Sequence, residues 1–153
     1  SRVTQLVNKT NQFNLTTRRY TSGEVEAIAQ NQDYISLYAR LNDKYGDSGL
    51  ISATFVNIRN QIAHIDLWVM SCRVFQRELE LGLCDELIDR LQKKKISKLI
   101  GYYFPTVKNK LVKNLVEKLG FSRLNEESVG NSTWEFNVSV DYKEKNSHIS
   151  VHI

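Results

Sequence analysis

A chain of 153 residues, 41% hydrophobic and 10% aromatic, is the size of a single globular domain able to bury about 68–70% of its unfolded surface. Two cysteines, Cys72 and Cys84, exclude a disulfide framework, and no Cys/His cluster has zinc spacing, so no metal is expected. The net charge of +4 is concentrated: from Lys93 to Lys118 there are eight lysines against one acid, Glu117. That run is either a solvated helix face or a patch for an acidic or phosphorylated partner. Nucleic acid is not expected, because the lysines lack interleaved aromatics and a binding motif. The N-terminus has no apolar signal core, and no run approaches the ~20 apolar residues of a membrane span. A soluble cytoplasmic protein is expected, and the start without Met suggests a domain cut from a longer chain.

In chain order, Phe13, Leu15 and Thr17 alternate with polar neighbours and predict a first strand. Thr21 and Glu24 have capping-box spacing ahead of Val25 and Ile28, which starts a helix. Tyr34 to Leu41 and Leu50 to Ile58 are β-rich runs flanking a turn-prone NDKYGDSG, an antiparallel pair. A fourth strand, AHIDLWVM, leads into MSCRVFQRELELG. The helix after it carries Leu79, Leu83, Cys84, Leu87, Ile88 and Leu91 on one stripe, with Glu78 and Glu80 at its positive end and Lys93 to Lys95 at its negative end. KLIGYYF is a short strand. Pro105 and Thr106 open another helix with Leu111, Val112, Leu115, Val116 and Leu119 inward, stopped at Gly120. TWEFNVSV alternates as a late strand, and HISVHI adds one more. No repeat or linker divides residues 1–153. The order predicts an α+β fold: a mixed, mostly antiparallel sheet with a parallel βαβ step, flanked by helices.

That order resembles a GNAT acyltransferase. More specifically, NKTNQFNLTTRRY (Asn8 to Tyr20) followed by SCRVFQR (Ser71 to Arg77) resembles the C-terminal domain of the FkbH-like family. The resemblance implies a GNAT-like domain, residues 1–11 forming the junction to an absent N-terminal phosphatase domain of haloacid-dehalogenase type. It also implies a part in loading a glyceryl- or methoxymalonyl-type acyl group onto an acyl carrier protein for polyketide biosynthesis, with a phosphoglycerate donor. The implied cofactor is the phosphopantetheine arm of the carrier, or coenzyme A.

The GNAT pattern puts an Arg/Gln-x-x-Gly-x-Gly/Ala loop at the start of the long helix. Arg73 matches its first position, while Gln76 and Glu78 stand where small residues let the backbone approach a pyrophosphate. Main-chain N–H groups of Val74, Phe75, Gln76 and Arg77, aided by Arg73 and Arg77, still suit a single phosphate; Glu78 opposes one. NKLVKNLVEKLGF resembles the segment where an Asn opens the next helix, matched by Asn109, and a Tyr serves as general acid, a position held here by Val116. Tyr102 and Tyr103 lie one strand away, as sheet aromatics or a substitute acid.

Cys72 is the candidate nucleophile. A helix N-terminus and Arg73 favour its thiolate, the natural carrier of an acyl thioester. A buried structural cysteine is the alternative. His64 and Asp66 share one face of the preceding strand by period two and are candidates to assist. Cys84 is expected in the core, and His148 and His152 read as strand residues rather than a metal pair. Asn8, Asn11 and Asn14 are expected to cap turns and fix the junction to the absent domain, with substrate contact as the alternative. Three functions stay open: acyl transfer to a phosphopantetheine thiol, a non-catalytic carrier-docking module, and an independent acetyl-coenzyme A-dependent N-acetyltransferase.

Overall fold

A computed structural model describes residues 2–10, 13–43, 46–71 and 79–138. It begins with a helix the sequence reading assigned to a junction, α1 (Arg2–Lys9). Val7 is fully buried, and Val3 and Leu6 pack beside it, so the helix belongs to the domain. β1 is only two residues, Phe13–Asn14, and its polar positions do not face water as alternation predicts: Asn14 and Thr16 are both buried. α2 (Ser22–Gln30) starts as expected, the Thr21 hydroxyl accepting the Glu24 N–H and the Glu24 carboxylate accepting the Thr21 N–H, both at 3.1 Å.

β2 (Tyr34–Asp43) and β3 (Gly46–Arg59) pair antiparallel and run further into the turn-prone stretch than its composition suggests. β3 passes to β4 (Ile62–Met70) through Asn60 and Gln61, whose φ values of 53° and 66° give the left-handed pair that a tight hairpin needs. α3 (Leu79–Lys93) buries the whole predicted stripe, Cys84 included. Glu80 stands in the first turn as expected and is buried, one carboxylate oxygen 4.0 Å from the Lys118 ammonium. α3 crosses over to β5 (Lys98–Tyr103), parallel to β4.

The helix expected from Pro105 is instead a loop, a 3-10 turn (Lys110–Val112) and one short helix, α4 (Leu115–Lys118). Thr106 and Asn109 bond each other's backbone N–H groups, at 3.1 and 2.7 Å, while the Asn109 amide holds the Phe104 carbonyl. These ties spend the chain's first turn on a loop. Val112, Leu115, Val116 and Leu119 still point inward, and Gly120, at φ 100°, ends the segment. β6 (Ser122–Glu126) was not expected; β7 (Ser132–Asn137) was. HISVHI, with His148 and His152, lies outside the described residues.

The strands form one sheet in the order β2-β3-β4-β5-β7-β6, with β1 added against β4. The main core lies between one face of the sheet and α3, the 3-10 turn and α4. A smaller cluster on the other face packs beneath α1 and α2.

A candidate site where two parallel strands part

β4 and β5 are the only parallel pair among the described residues, and ligands of open α/β sheets enter at the carboxyl ends of such strands. Here the two strands pair only at Ala63 with Leu99 and His64 with Ile100. β4 then continues six residues to Met70, still paired with β3 on its other edge. The edge freed towards β5 would leave peptide groups without partners, a cost that a buried backbone avoids.

The chain's own residues 13–16 fill it. Phe13 and Asn14 pair with Met70 and Val69, the Leu15 N–H donates to the Trp68 carbonyl at 3.4 Å, and the Thr16 hydroxyl donates to the Asp66 carbonyl at 2.7 Å. On the β5 side the Phe104 N–H donates to the Leu15 carbonyl at 2.8 Å. Asn109, with no exposed surface, donates to the carbonyls of Asn14 and Phe104, both at 2.9 Å, and accepts the Thr106 N–H. Asn14 in turn donates to the Thr10 carbonyl and accepts the Thr17 N–H, and Asn8 makes a reciprocal pair with the backbone of Tyr20. Asn14 thus ties a local turn, whereas the Asn8 side chain joins the end of α1 to the backbone of Tyr20; Asn11 lies outside the described residues. Asn109 opens the 3-10 turn at the expected place, with its amide committed to three backbone groups.

Cys72, Arg73, Val74, Phe75, Gln76, Arg77 and Glu78 lie outside the described residues. The described chain reaches Ser71, directly after the end of β4.

His64 and Asp66 both turn to the face of the smaller cluster, but with separate partners. The His64 Nδ1 is 2.8 Å from the Tyr102 hydroxyl, and the two rings lie nearly parallel, 14° apart in plane. Asp66 is an extra residue where Phe55 pairs with Leu67 and Val56 with Ile65. Its carboxylate accepts the Tyr34 hydroxyl at 3.2 Å and pairs with Arg18 at 3.7 Å. At strand rise His64 is about 20 Å and Asp66 about 13 Å from Met70. The two residues thus belong to separate polar clusters, His64 with Tyr102 and Asp66 with Tyr34 and Arg18.

Sequence reasoning passed over Asn57, which stands between these clusters. It is the cross-strand partner of both Tyr34 and His64, is buried, and has a side-chain oxygen without a partner among the described residues. An asparagine inside an otherwise apolar strand run, FVNIR, was the available signal.

Burial, and then the charge of Arg59, lower the His64 pKa, with Asp66 opposing. Burial, and then the Asp66 charge, raise that of Tyr34. His64 Nδ1 and the Tyr102 hydroxyl thus form a close polar pair at the point where the strands part. Below its ordinary pKa of 6.5 the unfolded chain takes up a proton that the folded ring resists, so the stability linked to His64 is full above that value and is lost as pH falls through the lowered folded value. Urea unfolding near pH 5 and near pH 7 should show a rise in stability with pH that is smaller in His64→Gln; equal rises would mean the folded ring is not perturbed.

A second concavity, a cleft of about 470 Å³, opens at the carboxyl end of β5, between Tyr103 and Trp134 on the sheet and Lys110 and Lys113 on the turn before α4. Among the described residues no cluster of His, Cys, Asp or Glu could hold a metal ion, and no helix is long and apolar enough to cross a membrane.

No family model matches the chain, and no curated protein matches it in sequence. Its fold is shared with GNAT acetyltransferases. The GNAT domain of S. lividans PAT is 13% identical, with a TM-score of 0.68 over 89% of this chain and 83% of that one. The ribosomal-protein-S18-alanine N-acetyltransferase of Escherichia coli is 14% identical, with a TM-score of 0.64 over 96% and 91%. The PaiA N-acetyltransferase of Thermoplasma acidophilum, a structure in complex with coenzyme A, is 19% identical, with a TM-score of 0.60 over 75% and 67%. The chain therefore has the GNAT fold, with a seven-stranded, mostly antiparallel sheet.

Proposed function

We propose that this chain is an acyltransferase domain of the FkbH-like kind, in which Cys72 holds a glyceryl-type acyl group as a thioester and yields it to the phosphopantetheine thiol of an acyl carrier protein. The observation that carries this reading is the closed crevice. A pantetheine arm is an extended chain with amide groups, suited to pair along a strand edge as a peptide does. Along β4 that edge is already taken from Met70 to Asp66 by residues 13–16. An arm pairing along that edge would have to displace them. Acyl exchange then belongs at the rim, where β4 ends at Met70 and the sequence continues through Ser71 to Cys72.

In the first step the Cys72 thiolate attacks the carbonyl of an acyl-phosphate donor of the phosphoglycerate type, and phosphate departs with the electrons of the broken C–O bond as the new S–C bond forms. In the second, the carrier thiol loses its proton to solvent and its sulfur attacks the same carbonyl. Cys72 leaves as thiolate, ready for another cycle. A phosphatase domain ahead of this one would process the phosphoglycerate donor. A reducing cytoplasm suits the free thiol.

A docking module without chemistry is the second reading. It is favoured by Val116, buried at the position of the usual tyrosine acid, which cannot protonate a leaving group. Intact mass of the full-length enzyme after exposure to donor separates the two. An acyl adduct at Cys72, discharged by holo but not apo carrier and absent in Cys72→Ala, is expected. Carrier binding with no adduct, and transfer unaffected by Cys72→Ala, would leave only docking.

A further inference from the structure

The second concavity supplies what the closed crevice withholds. Its volume, about 470 Å³, is within the usual range of small-ligand sites, roughly 300–1,000 Å³. It shares a wall with the crevice: Asn109 binds Asn14 on one side and Thr106, a residue of the cleft, on the other. Lys110 and Lys113 are exposed and have no ion-pair partner among the described residues, whereas the other cation of the cleft, Arg123, is held by Glu126 at 2.9 Å. Glu117 also faces the cleft, so the free charge is two lysines against one acid. Trp134 is fixed, its indole N–H donating to the Ser132 hydroxyl at 2.8 Å, which leaves the ring itself as an apolar wall.

The surface around the mouth points to a ligand delivered by a protein. Three large apolar side chains are notably exposed among the described residues: Val107, Leu124 and Val129. Each adjoins in sequence a residue that lines the cleft, namely Thr106, Arg123 and Gly130. Gly130 keeps its loop against Pro105, since a Cβ there would meet the proline ring at 3.1 Å on a backbone with φ of 96°.

We infer that this cleft, and not the crevice between β4 and β5, receives the phosphopantetheine arm of the carrier protein, with the arm's phosphate against Lys110 and Lys113, its apolar stretch on Trp134, and the carrier seated on Val107, Leu124 and Val129. The inference rests on the reading that a carrier arm is the acyl acceptor. A phosphodiester with one negative charge matches two cations offset by one carboxylate, and the hydroxyls of Tyr103 and Ser132 are placed for amide groups.

Amide NMR of the 153-residue chain titrated with holo and apo carrier protein tests it. Holo-specific shifts at Tyr103, Ser132 and the Trp134 indole are expected, with holo affinity falling tenfold or more in the double variant Lys110→Gln, Lys113→Gln. Both lysines are exposed, so the variant should fold. Holo-specific shifts confined to Asn14 to Thr16 and Val69 to Met70 would overturn the inference and leave acyl transfer standing, with the arm displacing the chain's own segment. Equal holo affinity in the double variant would also overturn it. Identical shifts from holo and apo carrier would overturn the inference and the acyl-acceptor reading together.

Discussion

Phe13→Ala is expected to lower unfolding stability by about 3–5 kcal/mol, the cost of truncating a fully buried aromatic ring. Phe13 has no exposed surface, meets Trp68 edge-on at 5.6 Å between ring centroids, and pairs with Met70 across the freed edge of β4. For a chain of this length each kcal/mol moves the melting temperature by roughly 2–4 °C, so a fall of about 6–20 °C is expected. Urea unfolding monitored by the fluorescence of Trp68 and Trp134 and by far-UV dichroism would measure it. A loss under about 1 kcal/mol would mean that residues 13–16 form a loosely held cover rather than part of the core.

The second large effect concerns Asn109. Asn109→Ala removes one acceptor and two donors at once, leaving the Thr106 N–H and the carbonyls of Asn14 and Phe104 without their partner in a site that has no exposed surface. Each buried polar group so abandoned costs about 1–3 kcal/mol, and water entering the gap recovers part of that, so a net loss of about 2–4 kcal/mol is expected. Asn109→Asp keeps the acceptor but turns an oxygen towards the Asn14 and Phe104 carbonyls in a fully buried site, and should destabilise at least as much as alanine. If the amide served only a bound cofactor, both variants would unfold at the wild-type midpoint and lose ligand affinity alone.

These two residues also show what the sequence displays and what it hides. The cap at Thr21 and Glu24, the β2/β3 pairing and the stripe of α3 were legible because each is decided by neighbours a few residues away. Asn14 and Thr16 were not, since a polar residue in a strand reads as solvent-facing unless the groups that will bond it are known. Their partners are distant: the Thr16 hydroxyl reaches the backbone of Asp66, and the Asn14 carbonyl meets Asn109. α1 carried a usable signal in Val3, Leu6 and Val7, but a supposed junction absorbed it. β6 carried none. All five of its residues are exposed, and it exists as a strand because β7 offers it an edge. Helical spacing after Pro105 was real for Val112, Leu115, Val116 and Leu119, yet the Thr106 and Asn109 side chains delay the helix in a way that spacing does not record.

The candidate site was legible in its parts more than in its assembly. His64 was singled out, whereas its hydrogen bond to Tyr102 depends on β4 and β5 lying side by side at that level. Asp66 was paired with it by period two. The extra residue in β4 instead sends the Asp66 carboxylate to Tyr34 and Arg18, away from the His64 and Tyr102 pair. The Arg18 contact follows from residues 13–16 running down the β4 edge as far as Asp66.

The most direct measurement is amide hydrogen exchange at Leu15 and Phe104, whose N–H groups hold residues 13–16 to β4 and to the end of β5. The closed-crevice account predicts slow exchange at both, unchanged by saturating holo carrier or coenzyme A. Protection that is lost when either ligand binds would show that the arm enters between β4 and β5 by expelling the chain's own segment, and would contradict it.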